Sequence, residues 1–447
     1  VERISAKEEH SLLNQCKMFP RGNNLNIDRK AMLLTTLLNK IEKFKSFVYK
    51  KAHMEQIDGE EAIIVEVEPR KNAKPVCRVC MKQCGTHATE KPRLFEYVPF
   101  WKWKVYFRYA PRRAACAIDG ALVELMPWAE GKERKTKTYK VFLAKWAQRL
   151  SWLETARVFH TSWDSVYRAV KFVVEYGLAN RSLVGVEKIG VDEIKVQKNL
   201  FLTLVYQLDS HSKRLLWSGQ KRRVKTLLRF FREFGKERSK LLKFVCTDMW
   251  APYLKVIRKK APQAIHVLDR FHIMKHVNDA IDTVRREEAR EYKGTDQEAL
   301  LTNSRWPLLK NKPNLTENQV VKLKELLGSK LKSVKSYLMK EDFQQFWTYQ
   351  SPVWAEKFLD AWIKRTMYSR IEPMKKVARM LRKHQALVLN WFKADGAVSG
   401  GMVEGFNLKA KLTMRKAYGF RNVETLQTAL YHTLGKLPEP KINHRFC

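Results

Sequence analysis

Long apolar runs are missing from this chain of 447 residues. Nothing in it approaches the roughly 18 consecutive apolar residues of a membrane-spanning helix, and no signal-peptide pattern opens it. Cysteine is scarce too: seven form an odd set in a long chain, which speaks against a disulfide framework. Acids are outnumbered, 46 Asp and Glu standing against 86 Lys and Arg. Internal repeats and low-complexity segments are absent. These absences exclude a membrane protein and a disulfide-stapled secreted domain, and the expectation is a soluble, cytoplasmic protein.

What remains is a net charge of +40 on a chain that is 45% hydrophobic. That much apolar content builds a core, so the charge sits on folded surfaces rather than on disordered tails. Solubility alone needs far less charge, and a folded protein this basic points to a polyanion, nucleic acid first. The length allows two to four domains.

Along the chain, residues 30–52 read as an amphipathic basic helix and "EEAIIVEVEPR" alternates as a strand. From Cys77 to about Trp128 the text is aromatic and strand-like, and residues 138–177 have a helical period. From residue 188, "KIGVDEIKV", "LFLTLVYQLD" and "KRLLWSG" form a three-strand meander. Helix and strand then alternate through "LLKFVCTD" and "AIHVLD", which predicts a mixed α/β sheet. Residues 275–395 are almost wholly helical in pattern.

Within that sheet, Asp192 interrupts an apolar strand and Asp248 follows the last apolar residue of another, 56 positions on (248 − 192). A third acid, Glu404, lies in "SGGMVEGFNLKAKLTMRKAYGF". If 402–415 is a helix, Glu404 shares a face with Asn407, Lys411 and Arg415, which are phosphate-binding types. Three carboxylates converging at a sheet edge repel unless cations lie between them. Two Mg²⁺ (or Mn²⁺) ions held by such acids would activate a water or 3′-hydroxyl and stabilise the leaving oxygen.

The segments "GVDEIKV", "TDMWAPY", "LDRFHIMKH" and "GMVEGFNLKAK…RKAYGFRN", in this order and spacing, closely resemble the ISL-three family of bacterial insertion-sequence transposases. The resemblance runs from about residue 77 to about 437. It implies a ribonuclease-H-like catalytic domain with a DDE triad, interrupted by a helical insertion before the last acid. Carried over, the triad is Asp192, Asp248 and Glu404, the residues that spacing had already reached. Glu193 is then an accessory acid or a surface residue. Asp269 and His272 match a second motif near the active site; the alternative is that Asp269 caps a helix and His272 packs in its first turn.

Cys77 and Cys80 have knuckle spacing, and Cys116 follows in "RRAACAID". Relatives resemble a four-cysteine ribbon here, whereas this chain has Asp119 where the second pair would end. A structural Zn²⁺ held by three cysteines and Asp119 is chemically sound, with Cys84 or His87 as substitutes. "SWLETARVFHTSWDSVYRAVKFVV" has helix-turn-helix length, with the turn near residues 160–162, and aims Ser165, Arg168 and Lys171 at a major groove. In the insertion, Trp306 stands beside a proline, outside any regular helix, as a candidate platform for an unstacked base, while Trp347, Trp354 and Trp362 at helical spacing suit a core.

The predicted organisation is a basic N-terminal region (1–70), a zinc-ribbon-like domain (71–128), a helix-turn-helix (129–182), the catalytic domain (183–274 and 396–447) and the all-α insertion (275–395). The function expected is a DDE transposase. It would bind the terminal inverted repeats of its element and join cut 3′ ends to target double-stranded DNA, as a homodimer or higher oligomer in the bacterial cytoplasm, associated with the nucleoid. The alternatives are a transposase-derived DNA-binding regulator and a structure-specific nuclease on the same fold.

Overall fold

The computed structural model describes residues 33–442 apart from 198–199, 296, 395–399, 418 and 421. Cys16, Cys447 and the start of the helix expected from residue 30 lie outside the described residues. The chain divides into two compact units, one running to Thr136 and the other from Lys137 to Lys441.

In the first unit, helix α1 (Leu34–Ile41) precedes strands β1 (Phe47–Ile57), β2 (Glu60–Pro69), β3 (Gly85–Thr89), β4 (Arg93–Phe100), β5 (Trp103–Tyr109), β6 (Arg112–Cys116) and β7 (Gly120–Val123). The helix expected over 30–52 is therefore short and gives way to β1. Phe47 and Tyr49 alternate inward there, 4% and 5% exposed, and burial of these aromatics overrides the helical period. The β1–β2 hairpin closes through Asp58 and Gly59, both at positive φ (52° and 82°), the pairing a tight type I′ turn requires.

A four-stranded sheet in the order β1-β2-β5-β4 covers one aromatic core, so the N-terminal strands and part of the segment assigned to the ribbon share a sheet. At its centre Trp128 meets the rings of Phe44, Phe47, Phe95 and Tyr109 at centroid distances of 4.9–6.0 Å. β3, β6 and β7 form a separate small antiparallel sheet beside the cysteines.

The second unit begins with three helices, α2 (Lys137–Arg149), α3 (Trp152–Val158) and α4 (Trp163–Asn180). Ser151 and Glu154 form a capping box that starts α3, and the Ser162 hydroxyl accepts from the Ser165 amide to start α4. Between them His160 takes a positive φ of 47°, which reverses the chain. Val166, Val170 and Val173 point inward as expected.

Next come β8 (Lys188–Gln197), β9 (Leu200–Asp209), β10 (Ser212–Gln220), α5 (Val224–Phe234), α6 (Lys236–Lys240), β11 (Phe244–Thr247), α7 (Ala251–Lys260) and β12 (Ile265–Leu268). They build the expected mixed sheet in the order β10-β9-β8-β11-β12: an antiparallel meander, with β11 parallel to β8 and β12 parallel to β11. Helices then run without interruption by strands: α8 (Arg270–Glu291), α9 (Glu298–Leu301), α10 (Arg305–Leu309), α11 (Glu317–Leu327), α12 (Lys332–Gln345), α13 (Pro352–Met367), α14 (Glu372–Lys383) and α15 (Gln385–Lys393). Two more, α16 (Gly400–Lys416) and α17 (Val423–Leu434), return to the sheet.

The sheet is covered on both faces. Phe230 and Phe231 of α5, with Tyr253 and Ile257 of α7, pack on one side. Val403 and Ala410 of α16, with Leu426 and Leu430 of α17, pack on the other. Gly190 of β8 sets how closely α16 approaches: a Cβ there would lie 2.5 Å from Val403 Cγ2. A side chain would therefore push the helix away.

The helical block from α8 to α15 has its own core, in which Trp347 and Trp362 are 8% and 1% exposed. Trp306 and Trp354 are instead 51% and 60% exposed. Trp306 lies inside α10 rather than outside a helix. Pro307 is in that helix's first turn, where its missing N–H has no partner to lose.

Candidate active site and metal centre

Strand register brings the acids together. Cys246 of β11 pairs with Gly190 of β8, so Asp192 and Asp248, each two residues further on, emerge side by side. Thr247 pairs with Leu268 of β12, and the Asp269 amide donates to the Thr247 carbonyl at 2.9 Å, which adds Asp269 to the same edge. Glu404 comes from α16, seated on β8 at Gly190. It is exposed and has neither a hydrogen bond nor an ion pair among the described residues; its charge, with that of Asp192, helps raise the pKa of Asp269, for which burial is the main cause.

Asp269 takes the capping role considered for it, at the same sheet edge as Asp192 and Asp248. Its carboxylate accepts from the Phe271 amide at 2.8 Å and so caps α8, while it remains among the other acids. His272, one turn into α8, has Nε2 3.8 Å from Asp192 Oδ1, and that carboxylate raises the imidazole pKa against the effect of burial.

Two features of the site have no local signal in the sequence. Asn407, only 7% exposed, donates to Asp192 Oδ2 and accepts from the Tyr206 hydroxyl at 2.9 Å. It positions a carboxylate, so the expectation that it binds phosphate is corrected. Arg222, from the loop after β10, pairs with Asp248, lies 3.3 Å from Glu193 Oε2 and covers the Trp250 ring at 4.7 Å. Glu193 is not a surface residue: burial first, then Asp248, pushes its pKa up to about 7, opposed by Arg222.

Among the described residues no three of these acids bring ligand oxygens within 4.8 Å of one another. Like charges without a counter-ion stay apart, and Arg222 already marks the spot as one that draws a cation. Hard carboxylate oxygens on neighbouring strand ends suit Mg²⁺ or Mn²⁺, ions that take few protein ligands and complete their shells with water and phosphate.

The other expected DNA contacts are divided. Lys411 and Arg415 are exposed on α16. Arg168 is exposed and pairs with Asp164 at 2.5 Å. Ser165 is half-buried in the cap of α4, bonded to Ser162 at 3.0 Å, and Lys171 is drawn onto Glu424 at 2.7 Å, so neither points freely into solvent. Trp306 is flanked by Arg305 and Lys310, 5.0 and 6.0 Å from its ring.

In the first unit, Cys77, Cys80, Cys116 and Asp119 bring their ligand atoms within 4.8 Å of one another. Cys77 Sγ and Asp119 Oδ2 are 3.3 Å apart, and Cys80 Sγ and Cys116 Sγ 3.5 Å. Four such atoms at these separations match the edges of a tetrahedron around Zn²⁺, whose bonds to sulfur and oxygen are about 2.0–2.3 Å. Cys84 is directed to the Lys82 carbonyl at 3.5 Å and His87 is exposed, so Asp119 is the fourth member of the group.

Residues 189–430, a little over half of the chain, match the transposase family of the ISL-three group. The transposase for insertion sequence element IS1001 of Bordetella parapertussis is 27% identical over 362 residues, covering 78% of this chain and 88% of that protein. The transposase for insertion sequence element IS1557 of Mycobacterium tuberculosis is 24% identical over 411 residues, covering 85% and 91%. The chain belongs to the ISL-three family of transposases.

Proposed function

We propose that the chain is a DDE transposase that binds the terminal inverted repeats of its insertion sequence, cuts DNA at the ends and joins the 3′ ends to target DNA. The observation that carries this reading is the register that aligns Asp192 with Asp248 and the close approach at Gly190 that sets α16, with Glu404, on the same strand. Asp192, Asp248 and Glu404 would hold two Mg²⁺ or Mn²⁺ ions. When bound, such ions supply activation of the attacking oxygen and stabilisation of the leaving one.

The protein's own groups do the rest. Asn407 fixes the Asp192 carboxylate, His272 lies 3.8 Å from it, and Arg222 balances Asp248 and Glu193 until DNA and cations arrive. Helices α3 and α4 act as the helix-turn-helix, with Arg168 towards base edges, and Lys411 and Arg415 follow the phosphates. The cysteine group with Asp119 holds a structural Zn²⁺. The described residues contain no helix long and apolar enough to cross a membrane, consistent with a DNA-bound protein of the bacterial cytoplasm. Cutting and joining paired ends requires at least two subunits on the DNA.

Transfer of a labelled 3′ end from a terminal-repeat duplex into a second duplex, in Mg²⁺, tests the proposal. A regulator would bind the end and leave it uncut, and a nuclease would cut without joining.

A further inference from the structure

Helix α16 has a second face. Away from Val403 and Asn407, Met402, Phe406, Lys409 and Thr413 line a cavity of about 1650 Å³ shared with α3 and the start of α4. Its far wall is aromatic: Trp163 stacks on Tyr167 at 5.6 Å and 16°, and Trp152 lies 5.7 Å from Trp163 and 6.0 Å from Phe420. Trp163 remains 42% exposed.

The rim is cationic. Lys213, Lys409, Arg415 and Lys436 border the cavity, while Asp164, the one acid among its described lining residues, is already paired with Arg168. This charge disfavours the chain's own first segment as the occupant, since residues 1–32 carry Arg3, Lys7, Lys17, Arg21, Arg29 and Lys30 against Glu2, Glu8, Glu9 and Asp28. It equally disfavours a second copy of a chain whose net charge is +40. An anion that also offers flat apolar rings fits both walls, and a nucleotide strand is that chemistry. A duplex keeps its bases stacked inward, so only unpaired nucleotides reach rings set in a cavity.

We infer that this cavity binds unpaired nucleotides of a DNA strand, their bases against Trp163 and Trp152 and their phosphates on Lys409 and Arg415. The inference rests on the transposase reading for its biological setting: one helix carries both Glu404 and part of the nucleotide cavity. A strand opened next to the cut would enter it, between the end-binding helices and the reacting centre.

The test uses the whole 447-residue chain and fluorescein-labelled octathymidylate, without added divalent metal, read by anisotropy. The parent protein should bind the labelled strand, and an unlabelled blunt duplex of the same length should compete poorly. Trp163→Ala should weaken binding roughly 5- to 150-fold, the usual range for losing one stacking ring, and Lys409→Ala should lower its salt dependence. Both variants alter exposed residues and should melt like the parent. Variants that bind octathymidylate as the parent does would overturn the inference. So would displacement of the strand, in the parent but not in Trp163→Ala, by oligoglutamate or by a peptide of residues 1–32. Because no cleavage is read, these results stand apart from strand transfer, whose failure would count against the transposase reading alone.

Discussion

Asn407 holds Asp192: its side-chain amide donates to the Asp192 carboxylate while its carbonyl accepts the Tyr206 hydroxyl at 2.9 Å. The pair joins α16 to β8 one turn beyond Glu404. Asn407→Leu should leave a buried tyrosine hydroxyl without its acceptor, costing about 1–3 kcal/mol in unfolding experiments. It should slow cleavage yet leave the salt dependence of end binding as it was. A reduced salt slope would restore Asn407 as a phosphate contact.

Gly190 sets the height of α16. With Val403 Cγ2 2.5 Å and Leu208 Cδ1 3.0 Å from where a Cβ would stand, Gly190→Ala overpacks this contact. A loss of about 1–3 kcal/mol is expected, together with a fall in strand transfer larger than the fall in end binding. Unchanged melting and unchanged transfer would mean that the helix is not positioned from this glycine.

The cysteine group should carry one zinc per chain, measured by elemental analysis of purified protein. Asp119→Ala should lower zinc occupancy, and Asp119→Cys should retain it. Cys84→Ser and His87→Ala should also retain it, since neither residue belongs to the group of four. Loss of zinc in Cys84→Ser with full occupancy in Asp119→Ala would reverse the assignment of the fourth ligand.

Acid should weaken the fold through two buried histidines. Burial lowers the pKa of both His266 and His432 to about 4. An unfolded histidine takes up its proton near pH 6.5, so each contributes stability that is present above that value and is lost as pH falls towards 4. His432→Gln should make the melting temperature less dependent on pH across this window. An unaltered profile would place the histidine in water.

Much of this site was legible in the sequence because its signals are local. An acid breaking the apolar alternation of β8, and another just past the end of β11, identify Asp192 and Asp248 by strand period alone. Steps of 3, 4 and 4 place Glu404, Asn407, Lys411 and Arg415 on one helical face. Which part of that face meets the sheet depends on Gly190 and Val403, residues over 200 positions apart, so the burial of Asn407 had no sequence signal. Arg222 likewise reaches Asp248 only through the fold. The helix expected over 30–52 failed because Phe47 packs on Trp128 and Tyr49 on Phe107, both far along the chain. For the cysteines, knuckle spacing reached Cys77 and Cys80, and the resemblance to a four-cysteine ribbon pointed to Asp119, which groups with them and Cys116.

The central claim is that Asp192, Asp248 and Glu404 form the reacting centre. The most direct measurement is transfer of a labelled 3′ end into target duplex in Mg²⁺, run beside an end-binding assay on the same preparations, for Asp192→Ala, Asp248→Ala and Glu404→Ala. The account predicts that each substitution abolishes cleavage and transfer and leaves end binding nearly intact. Mg²⁺-dependent transfer that survives in Glu404→Ala would contradict it.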